Sequence, residues 1–203
     1  MLKKIFLLLM TLISVGAMAD SHSFDILESL SRRFNGYSAY RIDFRVSVEG
    51  QQGSVGGHII VSGCKFVMRA AAMENYYDGT TLWSYDRQAN RVDVKSLKSS
   101  DPNVMMNLSK LMAVDMTYFN HRMVDDGTKW SVVELTPKAQ IDEYSSILIY
   151  VDPLSKEPCK IKVMGQEQLI ISIGRVQPNV VVAKDTFRFD ASKYKDVEIV
   201  DFR

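Results

Sequence analysis

The stretch Tyr77-Asp78-Gly79-Thr80-Thr81-Leu82-Trp83-Ser84-Tyr85-Asp86 decides the fold. Asp-Gly supplies the positive-φ positions that a two-residue hairpin turn needs. The flanking aromatics Tyr76, Tyr77, Trp83 and Tyr85 favour a pleated, half-buried surface. The segment reads as a tight β-hairpin that carries aromatic rings into a sheet.

Strand signals continue in both directions. Tyr40, Ile42, Phe44, Val46 and Val48 alternate with Arg41, Asp43, Arg45, Ser47 and Glu49, the period of a strand with one dry face and one wet face. Gly50-Gln51-Gln52-Gly53 turns into a second strand ending near Ser62, and Gly63 to Lys65 turns into a third over Phe66 to Ala71. Arg87-Gln88-Ala89-Asn90 leads into Arg91 to Val94. Further strands are expected from Trp130 to Leu135 after the Asp125-Asp126-Gly127 turn, then at Ser145 to Val151, Cys159 to Met164 and Leu169 to Gly174. A final pair is expected at Thr186 to Phe189 and Val197 to Phe202.

Two helices interrupt this pattern. Ser23 caps one whose Phe24, Leu27, Leu30 and Phe34 recur on one side, with Gly36 as its stop. The second opens at Asp101-Pro102 and aligns Val104, Met105, Leu108, Leu111 and Met112 on one face. Strands joined by short turns, with helices inserted in blocks, predict an α+β, mainly β domain: a curved antiparallel sheet whose dry face the helices cover.

The first residues have the layout of a secretory signal. Lys3 and Lys4 precede an apolar run from Ile5 to Val15, and Ala17-Met18-Ala19 is a small-x-small cleavage site. The run is shorter than the ~20 residues of a spanning helix. Residues 1–19 are therefore expected to be removed, leaving residues 20–203 as a single domain in an extracytoplasmic space. Cleavage takes Lys3 and Lys4 from the 25 basic residues and leaves 23 against 24 acidic ones, a net charge of −1. Such a chain lacks the concentrated basic face that nucleic acid requires. Cys64 and Cys159 are the only cysteines, and their spacing leaves open whether they pair.

Little here asks for catalysis. His22, His58 and His121 have no helical zinc spacing, and no nucleophile elbow, P-loop or dinucleotide fingerprint occurs. Neither enzyme activity, nor a metal, nor a cofactor is expected. Glu74, Asp78, Asp86 and Glu143 read as charges on wet strand faces. More informative are Met105, Met106, Met112, Met116 and Met123, which fall within 19 residues. Methionine suits surfaces that repack around varied apolar ligands, although core filling under a helix is the plainer alternative.

Taken together, these residues resemble the LolA-type periplasmic carriers of outer-membrane lipoproteins. The similar stretches are Phe44 to Val61, Asp78-Gly79-Thr80-Thr81-Leu82-Trp83-Ser84-Tyr85, Leu135-Thr136-Pro137-Lys138, and the tail Phe187-Arg188-Phe189 through Val197 to Arg203. The resemblance implies an unclosed β-barrel with a helical lid over an apolar cavity that receives the acyl chains of lipoproteins. It also implies an inner-membrane transporter that loads the carrier and an outer-membrane acceptor that unloads it. Tyr40, Ile42, Phe44, Val46, Val48, Trp83 and Tyr85 are expected to line the cavity, and Val104, Met105, Leu108, Leu111, Met112 and Met116 to form the lid of a monomer. Where the best-known branch carries an Arg-Pro pair that helps hold the lid, this chain reads Val61-Ser62-Gly63-Cys64-Lys65-Phe66. Either Lys65 or Arg69 supplies the latch, or the lid is not latched that way. A sensor of lipids or misrouted lipoproteins built on the same fold is the alternative function.

Overall fold

The computed structural model describes residues 14–97, 118–140 and 143–203. Helix α1 spans Ser14–Asn35. Among the described residues twelve strands follow in one sheet: β1 Tyr40–Val48, β2 Val55–Ser62, β3 Lys65–Ala70, β4 Met73–Tyr77, β5 Thr81–Asp86, β6 Arg91–Ser96, β7 Phe119–Asp126, β8 Ser131–Pro137, β9 Tyr144–Val151, β10 Pro158–Gly165, β11 Gln168–Pro178 and β12 Glu198–Asp201. Their spatial order is β12-β6-β5-β4-β3-β2-β1-β11-β10-β9-β8-β7. Two meanders, β1 to β6 and β7 to β11, are thus joined where β1 pairs with β11. The sheet is curved and does not close, because the end strands β12 and β7 do not pair.

Alternation of apolar and polar residues explains the long strands, since a half-buried strand needs one dry face. The hairpin at residues 77–82 also forms, but one residue out of the expected frame. Asp78 N–H donates to the Thr81 carbonyl at 3.3 Å, so Gly79 and Thr80 are the central residues. Of the two, Gly79 alone takes positive φ, at 104°. The Asp78 carboxylate instead accepts hydrogen bonds from Thr80 N, Thr81 N and the Thr80 hydroxyl.

Other expectations need correction. Ser23 is no N-cap: α1 begins nine residues earlier, and Ser23 lies fully buried in its middle, 2.8 Å from His121 Nδ1. Phe24 is 42% exposed, while Ile26, Leu27, Leu30 and Phe34 form the buried stripe. Thr186 to Phe189 is not a strand but a pair of turns, with Thr186 N bonded to Ala183 O and Arg188 N to Asp185 O. Phe187 and Phe189 are both buried, so an alternation that imitates a strand is produced by two rings plugging the sheet. Residues 198–201 do pair, but parallel to β6. β7, unexpected from sequence, covers Phe119–Asp126. The expected second helix, with Val104, Met105, Leu108, Leu111, Met112 and Met116, lies outside the described residues.

Candidate functional site

The two faces of the sheet bury different cores. On the inner face, α1 packs with the larger cluster, which includes Tyr40, Ile42, Phe44, Ile59, Val61, Phe66, Val133, Leu135, Ile147, Ile149, Ile161, Val163 and Ile171. On the outer face, Val67, Tyr76, Trp83, Tyr85, Val92 and Val94 pack with Phe187 and Phe189 from the segment before β12.

Register makes the inner face a set of apolar rows. One runs Val46, Ile171, Ile161, Ile149, Val133, Met123 across β1, β11, β10, β9, β8 and β7. The next runs Val48, Leu169, Val163, Ile147, Leu135. Tyr40, Ile42 and Phe44 are buried on this face, and Val46 and Val48 share it half-buried. Burial pushes the Tyr40 phenol pKa upward, so the ring stays neutral.

α1 crosses part of this face. Toward its N-terminal side Ser23 meets His121 of β7, and His22 Nε2 lies 3.5 Å from Asp126. Near its C-terminal end the Phe34 ring packs 5.0 Å from Tyr40 and 6.0 Å from Tyr37. Burial of Ile26, Leu27, Leu30 and Phe34 contributes about 1.5–3 kcal/mol for each side chain.

Gly57 on β2 lets the inner face close at its centre. A Cβ there would lie 2.5 Å from the Arg69 carbonyl and 2.9 Å from both Ala70 Cβ and Phe44 Cζ. The Phe44 ring occupies the space that a side chain at position 57 would fill.

Trp83 and Tyr85 are not on the inner face. Tyr77 pairs with Leu82 and Tyr76 with Trp83, so Trp83 and Tyr85 share the side of Tyr76 and Val67. The Tyr85 ring packs 5.2 Å from Phe189 and 4.5 Å from Tyr194. Lys65 and Arg69 lie on this outer face too, alternating with the inner Phe66 and Met68 along β3. Arg69 is held there by Glu74 at 2.9 Å and Tyr76 at 3.1 Å. Neither is placed to latch a cover over the inner face. The two cysteines are unpaired, with Cys64 in the β2–β3 turn and Cys159 on β10.

Glu74 is the buried hub of the outer face. It accepts from Tyr76 at 2.6 Å and also pairs with Arg69 and Arg87. Burial would raise its pKa, but the hydrogen bonds from Tyr76, Arg69 and Arg87 outweigh that and lower it. A polar cavity of about 370 Å³ lies alongside, lined by Arg69, Tyr76, Asp185, Thr186, Arg188, Asp190, Lys193 and Tyr194. Burial, reinforced by Arg41 and Arg69, pushes the nearby His58 pKa down. Among the described residues no cluster of three or more His, Cys, Asp or Glu could hold a metal.

Sequence reasoning missed two parts of the inner face. The lining from β8 to β11 was legible as alternation in 144–151 and 158–171, but without register nothing linked it to β1. Asn75 and Tyr144 were not singled out at all. Both are buried, yet Asn75 Oδ1 and the Tyr144 hydroxyl have no hydrogen-bond partner among the described residues.

The family described as "Outer membrane lipoprotein carrier protein LolA" matches residues 76–190, more than half of the chain. A curated outer-membrane lipoprotein carrier protein from Cupriavidus necator is 28% identical over 123 residues, covering 59% of this chain and 57% of that protein. The match thus spans little more than half the length of that relative. An uncharacterized conserved protein from Thermus thermophilus shares the fold with TM-score 0.58 at 6% identity, over 88% of this chain and 99% of that one. A DUF1329 family protein from Desulfovibrio piger does so with TM-score 0.55 at 10% identity, over 87% and 99%.

Proposed function

The chain belongs to the LolA family of outer membrane lipoprotein carriers, and from that premise we propose that it binds the acyl chains of lipoproteins on the inner face and carries them across the periplasm. The observation that carries this reading is the unbroken apolar field across β1, β11, β10, β9 and β8, in a sheet whose ends stay unpaired. These side chains are buried in the structure, and a hydrocarbon chain that displaces their cover replaces it at little cost, because dispersion and hydrophobic burial are not directional. Burying about ten methylenes contributes about 8 kcal/mol, near micromolar affinity before ordering costs. That range permits both capture and release.

In this reading residues 1–19 are a cleaved export signal, and the mature monomer works in the periplasm. Val104, Met105, Leu108, Leu111, Met112 and Met116 form an apolar lid over Tyr40, Ile42, Phe44, Val46 and Val48. When empty, the lid competes with the ligand for the inner face, so affinity stays moderate. An inner-membrane transporter would load the carrier and an outer-membrane acceptor unload it.

The test replaces Leu108 and Met112 together by Asp and measures acyl-chain binding by displacement of a fluorescent fatty-acyl probe. Loss of binding with an unchanged far-UV spectrum supports the lid. Undiminished binding by the folded double variant rules it out.

A further inference from the structure

The inner face changes character along one row. Ile42, Ile59, Met68, Asn75, Ser84 and Asp93 face one another in succession across β1 to β6, so apolar residues give way to amide, hydroxyl and carboxylate. Asn75 stands at the boundary. It is 2% exposed, and its carboxamide oxygen has no hydrogen-bond partner among the described residues. Buried polar groups are nearly always paired with protein, water or ligand, so the Asn75 acceptor calls for a donor from outside the protein.

We propose that Asn75 is the polar anchor of the acyl site, accepting a hydrogen bond from the amide N–H that links an acyl chain to its head. The inference rests on the carrier reading above and names the linkage that the carrier prefers. The chain lies along Met68, Ile59 and Ile42, and the head points toward Ser84 and Asp93. The orphan atom is an acceptor, so the group that completes it is a donor. An amide-linked chain offers that N–H; an ester-linked chain of the same length does not. A site built to hydrogen-bond an N–H disfavours the analogue lacking it, because the protein's acceptor is left unpaired.

Three neutral probes of equal chain length separate the outcomes: N-methylpalmitamide, N,N-dimethylpalmitamide and methyl palmitate, each competing against a fluorescent fatty-acyl probe. Wild type should bind N-methylpalmitamide about tenfold more tightly than the two probes without N–H, as expected for one buried hydrogen bond. In Asn75→Leu that preference for the N–H probe should vanish, and the variant should melt no lower than wild type because the orphan atom is gone. Equal wild-type affinities for all three probes overturn the anchor and leave the acyl site standing. Failure of every probe to bind wild type overturns the carrier reading together with the anchor. The wild-type series needs no variant, so it decides the matter even if Asn75→Leu does not fold.

Discussion

Gly57→Ala tests whether the centre of the inner face is as tightly closed as the geometry requires. The added methyl would sit 2.5 Å from the Arg69 carbonyl, which belongs to the backbone of the paired strand and cannot rotate away. It would also sit 2.9 Å from Phe44 Cζ and Ala70 Cβ. Gly57 has no positive φ, so alanine adopts its backbone conformation and the penalty is packing alone. To restore contact distances, β2 and β3 must separate locally and the Phe44 ring must leave its seat. Overpacking of this kind costs about 1–3 kcal/mol. In a domain of this size that lowers Tm by about 3–10 °C. Thermal unfolding measures the loss, and acyl-probe displacement in the same variant reports whether the Phe44 ring forms part of the ligand surface. Phe44→Ala in the Gly57→Ala background should not restore stability, because the Arg69 carbonyl still obstructs and removing a buried ring leaves a cavity. A Gly57→Ala protein melting within about 1 °C of wild type would refute the close approach of Phe44 to β2.

Two further outcomes distinguish the faces. Trp83→Ala should destabilise by about 3–5 kcal/mol in chemical denaturation while acyl binding at temperatures where the protein is folded stays at the wild-type level, because Trp83 packs on the outer face; a selective loss of binding would return it to the ligand site. Glu74→Gln should cost about 2–3 kcal/mol at pH 7, below the full cost of breaking a buried pair because Arg69 and Arg87 are 36% and 53% exposed and regain water. The folded pKa of Glu74 lies below its ordinary 4.5, so its contribution is complete above about pH 4.5 and is lost as the pH falls through the lowered folded value. Denaturation midpoints of wild type and Glu74→Gln should therefore converge on acidification, and a constant gap down to pH 2 would contradict the assignment.

Local patterns carried much of this protein. Alternation in Tyr40 to Val48 shows in the chain because a strand's side chains point to opposite faces every second residue, whatever lies beyond. The same holds for the hairpin at Gly79 and for the stripe Leu27, Leu30, Phe34 on α1. Tertiary structure decided which dry face is which. Trp83 and Leu82 are both buried, and only the chain of registers from β5 through β4, β3 and β2 to β1 puts Leu82 with Ile42 and Trp83 with Phe189. A shift of one residue anywhere in that chain would exchange the faces, and strand periodicity is blind to it. The β1·β11 junction brings residues 40–48 beside 169–178. It depends on contacts more than a hundred residues apart, which is why the apolar rows that cross from β1 to β8 became visible only in three dimensions.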